Sequence, residues 1–303
     1  MPVILLHGAR VPGLASFDLP VEGGSLAADL ARTGKRVFIM DARGYGRSMR
    51  PAAMADPAGG KPLVNSHEVV RDLGTVVAWV KQRTGRSQVA LLGWATGGHW
   101  AGMYASLNPE QVSHLIMYNA LYGAHAGHRT LGPGSDMADP QNRNRYNVAR
   151  FGAYRLNTAD SLLLSWDRSI PAEDKAQWRD PAIASAYQRE ALASDPDAPR
   201  HNPPAFRAPS GALEDSFYLA SGRQLWDAAS IMARVLIIRS SNDFWSRPED
   251  VTKLQEHLGN AAAVKSVMIP DATHHVHLDR MNRGRGRFLA EIIAFLNEAP
   301  PAS

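Results

Sequence analysis

The chain has 303 residues, of which 45% are hydrophobic, with 33 Lys and Arg against 29 Asp and Glu and no cysteine. That apolar content supports a large buried core and excludes a disordered chain, while the lack of cysteine excludes disulfides, a thiolate nucleophile and a cysteine-based metal site. A net charge of +4 is mild and its charges are interspersed, which gives no footing for nucleic acid.

The opening MPVILLHGAR has no charged lead before its apolar stretch, and no apolar run approaches the ~18 residues of a membrane span, so a cytoplasmic protein with no membrane partner is expected. In chain order, short apolar runs rich in β-formers stand at residues 2–8, 36–41, 88–94, 112–120, 234–243 and 264–272. Nearly continuous apolar strands are buried on both faces, as in a parallel sheet. Between them SLAADLARTG, SHEVVRDLGTVVAWVKQRTG, TGGHWAGMYASL, RPEDVTKLQEHL and RGRFLAEIIAFLNE space their apolar residues three and four apart, with Gly34, Gly85 and Gly259 placed for left-handed caps. Strand and helix alternate, so the fold class is α/β, a doubly wound, mostly parallel sheet.

Residues 121–229 break the rhythm. RYNVARFGAYRL, TADSLLLSWDR, PAIASAYQREAL and SFYLASGRQLW have helical period, and DPDAPRHNPPAFRAPSG reads as a Pro-rich connection. The organisation expected is a core of residues 1–120 and 230–303 with a helical cap, residues 121–229, over the sheet's C-terminal edge.

The stretch ALLGWATGGHW, residues 90–100, runs from strand through a small-residue turn into helix, the layout of a G-x-Ser-x-G nucleophile elbow with alanine at its centre. With His7-Gly8 after the first strand, DARGYGRS after the second, SSND after a late strand and DATHHVHLD near the end, the chain resembles the α/β-hydrolase superfamily, in particular its capped esterase-like members. The motifs span essentially the whole chain. Family members carry an antiparallel hairpin or two strands before the His-Gly strand, and this chain starts on that strand, so either the start is internal to a longer protein or the sheet is shortened.

The resemblance implies roles residue by residue. It puts Ala95 at the nucleophile position, where serine is expected, with Asp243 as the acid and His274 as the base. Thr96 has a hydroxyl but stands one position past the apex and is a poor substitute. Asp243 could instead be a turn residue, and His275 and His277 compete with His274 for the base. Backbone amides of Ala9 and Thr96 would form the oxyanion site, with Arg10 replacing Ala9 if the loop turns differently. Arg10, Trp94, Tyr122, Trp166 and Trp245 are candidate pocket residues, with Tyr146 and Trp226 further aromatic candidates for an aromatic or lipophilic ligand.

Other motifs carry less. His275-x-His277-x-Asp279 has the spacing of a zinc site, but Arg280 follows where a ligand would be wanted, so no metal and no cofactor are expected. NRGRGRF lacks the third glycine of a dinucleotide fingerprint and reads as the start of the last helix, and DARGYGRS lacks the lysine of a phosphate loop. Since Asp243, His274 and the elbow glycines all remain, the pattern fits a serine-to-alanine change at position 95 in a serine hydrolase acting on a small carboxylic ester. Lactones and amides use the same machinery. A non-catalytic ligand-binding member and a cofactor-free enzyme running on a His–Asp dyad are the alternatives. An epoxide hydrolase or dehalogenase fits less well, because those carry Asp followed by Trp at the elbow.

Overall fold

The computed structural model describes residues 1–55 and 59–299. The chain opens with β1 (Pro2–Leu6), α1 (Gly13–Phe17), α2 (Leu26–Arg32) and β2 (Arg36–Met40), then α3 (Ser66–Thr84), β3 (Val89–Trp94), α4 (Thr96–Leu107) and β4 (Val112–Tyr118). An inserted stretch follows: β5 (Ala138–Asp139), β6 (Asn142–Tyr146), α5 (Val148–Phe151), β7 (Tyr154–Thr158), α6 (Ala159–Asp167), α7 (Pro181–Ala193), β8 (Ala205–Pro209) and α8 (Gly211–Ala220). The chain ends with β9 (Arg234–Asn242), α9 (Pro248–His257), β10 (Ala263–Thr273) and α10 (Gly286–Leu296). Among the described residues no helix is long and apolar enough to cross a membrane.

The main sheet has six strands in the order β10-β9-β4-β3-β1-β2, every neighbour pair parallel. Its six strands fall on the six apolar runs, since β1, β3 and β4 are buried along their whole length and had to be apolar on both faces. Two apolar layers enclose the sheet. One packs α3 and α4 through Val69, Leu73, Val77, Trp100 and Tyr104, and the other packs α2 and α10 through Leu26, Leu30, Phe288, Ile292 and Phe295. Helix α3 starts on a capping box, with Asn65 accepting from the Glu68 amide and Glu68 accepting from the Asn65 amide, and stops at Gly85 with φ +67°.

Residues 121–229 are only partly helical. α6, α7 and α8 match apolar periodicity, but the stretch also holds two antiparallel ribbons, β5–β6 and β7–β8. RYNVARFGAYRL, expected as helix, contains the end of β6, a four-residue helix and the start of β7, and the Pro-rich connection contains β8. Strands of two to five residues are too short for a period of two to show. A further correction concerns Gly259: Gly34 and Gly85 have left-handed φ, whereas Gly259 does not, because α9 closes on Leu258 and the chain turns into β10 without a positive φ.

Two buried histidines give this core a pH dependence. His99, on α4, accepts from Trp226 Nε1 at 3.0 Å, and burial together with His67 pushes it down to about 3. His114, on β4, packs its ring edge-on against Phe295, and burial with Arg234 nearby lowers it to about 4. Both stay neutral in the fold while the unfolded chain takes up protons near pH ~6.5, so the stability present above that pH is lost as pH falls towards their folded values. The melting temperature should therefore decrease from pH 7 to pH 5, and His114→Phe should flatten the decrease. A melting temperature that holds or rises on acidification contradicts this.

Candidate active site

The elbow is built by close backbone approach. A Cβ on Gly93 would stand 2.2 Å from the Gly97 carbonyl oxygen, and one on Gly97 would stand 2.1 Å from the Leu6 carbonyl oxygen, so only glycine fits at either place. Ala95, between them, has φ +51° and ψ −116°, a conformation that costs a non-glycine residue on the order of 1–3 kcal/mol. Its amide donates to Tyr118 O at 2.9 Å and its carbonyl accepts from Gly98 N at 3.0 Å, which hold the turn against that strain. Thr96 is the first residue of α4, so its N–H has no acceptor inside the helix and sits at the positive end of the helix dipole.

The loop after β1 lies against this turn. A Cβ on Gly8 would come within 3.6 Å of Ala95 Cβ. His7 anchors the loop, accepting from the Ala42 amide at Nε2 (3.1 Å) and donating from Nδ1 to Gly8 O (2.6 Å), with its ring packed on Tyr45 and Trp100. The DARGYGRS loop beside it is folded around Asp41, which accepts from the Gly13 and Arg47 amides.

His274 follows β10, and its Nδ1 donates to Asp243 Oδ1 at 2.6 Å. Asp243, just past β9, also accepts from the amides of Trp245 (3.0 Å) and Ser246 (2.8 Å) and from the Ser246 hydroxyl. Burial pushes its carboxyl up, but His274, Ser246 and the Trp245 amide outweigh burial and hold it below the ordinary aspartate value. The His274 carbonyl is pinned by Trp94 Nε1 (3.0 Å) and Asn119 Nδ2 (3.1 Å), while Asn119 Oδ1 accepts from Ser240 N (2.8 Å). Asn119 thus ties the ends of β4, β9 and β10 together, and it takes φ +51° to do so.

The two neighbouring histidines are held differently. His275 stacks on Trp166 at 4.9 Å and His277 packs on Trp94 at 4.6 Å, and burial pushes both well below the ordinary imidazole value. Asp279 is held by the Thr273 amide and hydroxyl (2.8 Å each) and by Trp166 Nε1 (3.0 Å), and burial pushes its carboxyl up to about 7. It fixes the turn that presents His274. In NRGRGRF, Arg283 lies over Trp178 and Arg285 pairs with Asp29, so these arginines secure the start of α10.

Ala9, Arg10, Trp94, Ala95, Thr96, Trp245 and His274 all line one cavity of about 270 Å³. Tyr122 and Trp166 do not, contrary to expectation. Tyr122 is buried beside Trp226 with its hydroxyl on His257 Nδ1 (2.9 Å), and Trp166 lies behind His275 in the apolar layer shared by α1, α6 and α7. Tyr146 and Trp226 are likewise core residues. The residues that sequence reasoning missed are Val11, Arg155, Asn157, Ser165, Arg168, Tyr187, Leu213 and Phe244. All but Val11 and Phe244 come from the inserted stretch, where no motif marks them.

The comparisons agree with this architecture. A 2-hydroxy-6-oxononadienedioate/2-hydroxy-6-oxononatrienedioate hydrolase of Cupriavidus pinatubonensis is 30% identical over 117 residues, 38% of this chain and 34% of that protein. A (lyso)-N-acylphosphatidylethanolamine lipase of Bos taurus is 30% identical over 116 residues, 38% of this chain and 29% of that protein. The chain therefore aligns with about a third of the length of these curated relatives. Among solved structures, an esterase of Exiguobacterium antarcticum superposes with a TM-score of 0.56 at 16% identity, covering 98% of this chain and 92% of that one. The enol-lactonase of Burkholderia xenovorans superposes with a TM-score of 0.52 at 13% identity, covering 98% and 91%. Parallel sheet order, strained elbow, facing amide loop and paired His274 and Asp243 occur together in a chain whose residues 1–280 match the alpha/beta hydrolase fold family model, and the protein belongs to that family.

Proposed function

We propose that this is the site of a carboxylic-ester hydrolase of the Ser–His–Asp type in which Ala95 occupies the serine position, so that the chain binds its carbonyl substrate without forming an acyl-enzyme. The observation that carries the reading is the 2.6 Å His274–Asp243 bond beside an apex that keeps its strained backbone although it offers only a methyl group. A backbone conformation that costs free energy is the signature of a nucleophile turn rather than of an ordinary strand-to-helix connection.

With serine at position 95, the hydroxyl oxygen would attack the substrate carbonyl while His274 takes its proton. Asp243 would hold Nδ1–H and balance the imidazolium, and the Ala9 and Thr96 amides would receive the developing oxyanion. His274 would then protonate the leaving alcohol and activate water against the acyl-enzyme. Lactones and amides call on the same groups. Residues 121–229 act in this reading as the cap, since they supply Arg155, Asn157, Ser165, Arg168, Tyr187 and Leu213 to the cavity wall.

A second reading rests on the same dyad. His274 needs no serine to act as a base, because Asp243 already orients its Nδ1 and leaves the other ring nitrogen free to take a proton from a bound substrate. Turnover by the chain as it stands, lost in His274→Ala, would favour this reading. Binding without turnover, in both the native chain and Ala95→Ser, would favour a ligand-binding protein.

Ala95→Ser should hydrolyse activated esters on the order of 10³-fold or more faster than the native chain, since losing such a nucleophile costs up to ~10⁶ in kcat. In that background His274→Ala should return the rate to the native level, whereas His277→Leu should keep most of it. Steady-state kinetics on variants with matched melting curves check both, and an inactive Ala95→Ser across esters, lactones and amides defeats the proposal. Asn119→Gly keeps the left-handed backbone but frees the His274 carbonyl. It should lower kcat of the Ala95→Ser enzyme about tenfold with little change in KM and cost about 1–3 kcal/mol of stability, read by urea titration. An unchanged kcat would remove Asn119 from the positioning of His274.

A further inference from the structure

Arg10, Arg155 and Arg168 line the cavity, and among the described residues no aspartate or glutamate does. Arg10 directs its donors to neutral acceptors: Nε to Asn157 Oδ1 (2.8 Å), Nη1 to Ser161 O (3.0 Å) and Nη2 to the Ser161 hydroxyl (2.6 Å). Arg155, on β7, donates from Nη2 to Ala9 O at 2.9 Å, and its buried Nε has no hydrogen-bond partner among the described residues. Arg168 follows α6 with its guanidinium 5.2 Å from the Phe244 ring centroid, and that ring stands 4.9 Å from the His274 ring.

Arg168 is exposed, whereas Arg10 and Arg155 are partly buried, and elsewhere this chain pairs its buried arginines with carboxylates. Arg207 is paired with Asp195 and Asp197, Arg247 with Asp250, and Arg285 with Asp29. Taking a cation out of water without a counterion costs free energy, and gathering like charges adds to the cost. Burial, and the nearness of Arg155 and Arg168, lower Arg10 to about 10. An anion in the cavity would offset both costs.

We propose that the cavity is built for a small carbonyl substrate bearing a carboxylate, which lies between Arg155 and Arg168 while the reacting carbonyl meets the Ala9 and Thr96 amides. The carbonyl half of this inference rests on the hydrolase reading, and the carboxylate half stands on the arginines alone. Arg155 is bonded to the carbonyl of Ala9, and Arg168 lies over Phe244, whose ring packs on His274. One charge thus stands by the Ala9 loop and the other by the His274 side of the same cavity, whose volume of about 270 Å³ suits a short half-ester of a dicarboxylic acid. Unpaired guanidinium donors favour carboxylate over uncharged oxygen because a charge-assisted hydrogen bond is about twice as strong as a neutral one.

The test compares mono-4-nitrophenyl glutarate with 4-nitrophenyl pentanoate, which has a methyl group in place of the carboxylate, as substrates of Ala95→Ser. Glutarate binding to the native chain is measured alongside by calorimetry. The anionic ester should be preferred by roughly tenfold or more in kcat/KM, and Arg155→Gln and Arg168→Gln should each reduce that preference about tenfold through KM. Arg168 is exposed, so its variant should fold, and melting curves check both. Equal rates on the two esters, or arginine variants that slow both alike, overturn the carboxylate site and leave the hydrolase reading standing. If Ala95→Ser hydrolyses neither ester but the native chain binds glutarate and Arg168→Gln loses it, the hydrolase reading falls and the carboxylate site stands. Absence of glutarate binding together with absence of any preference overturns the site.

Discussion

At Gly97 the start of α4 presses on the end of β1 so closely that a single added carbon would lie 2.1 Å from the Leu6 carbonyl oxygen. The site follows from this contact. It pulls the loop after β1 against the apex, sets Gly8 within reach of the Ala95 methyl, and brings Ala9 and Thr96 into the lining of one cavity. Backbone atoms do this work, so the geometry survives whatever side chain stands at position 95. The cost is borne by two glycines and one strained alanine.

The histidine side of the cavity is fixed by buried polar groups rather than by apolar packing. Trp94 and Asn119 hold the His274 carbonyl, Asp243 holds its ring, and Asp279 holds the turn behind it. Each of these groups is inaccessible to solvent, where an unmatched donor or acceptor would cost about 1–3 kcal/mol, so the loop has few alternative conformations. The inserted stretch is tied into the same network through Trp166, which bonds Asp279 and stacks on His275. That tryptophan acts on the site from behind instead of lining it.

Much of the sheet and elbow was legible because each rests on local rules. Strands buried on both faces are continuous apolar runs, and a turn with two backbone crossings needs glycine at fixed offsets. The motifs carrying Ala95, Asp243 and His274 fall at fixed places relative to those strands, and the structure pairs His274 with Asp243 and lines one cavity with Ala95 and His274. The cavity wall was not legible. Arg155 meets Ala9 across 146 residues and Arg10 meets Ser161 across 151, and no periodicity records such contacts. Aromatic residues misled for a related reason, since Tyr122 and Trp166 satisfy their polar atoms inside the core and composition does not separate a buried ring from a lining one. The ribbon β7–β8 escaped because its strands are set by a pairing partner far along the chain, and β5–β6 because strands of two and five residues are too short to show a period.

The unrelaxed backbone at Ala95 also bears on how this site can change. Codons for alanine and serine in the GCN and TCN sets differ at their first base alone, so a hydroxyl at the apex is a single point mutation away. Because the turn already holds φ +51° and ψ −116°, under the proposed function that mutation would find its surroundings assembled, with no loop to rebuild and no second substitution to wait for. Under that reading one base separates this chain from a chemically different protein, rather than a rugged path of intermediates.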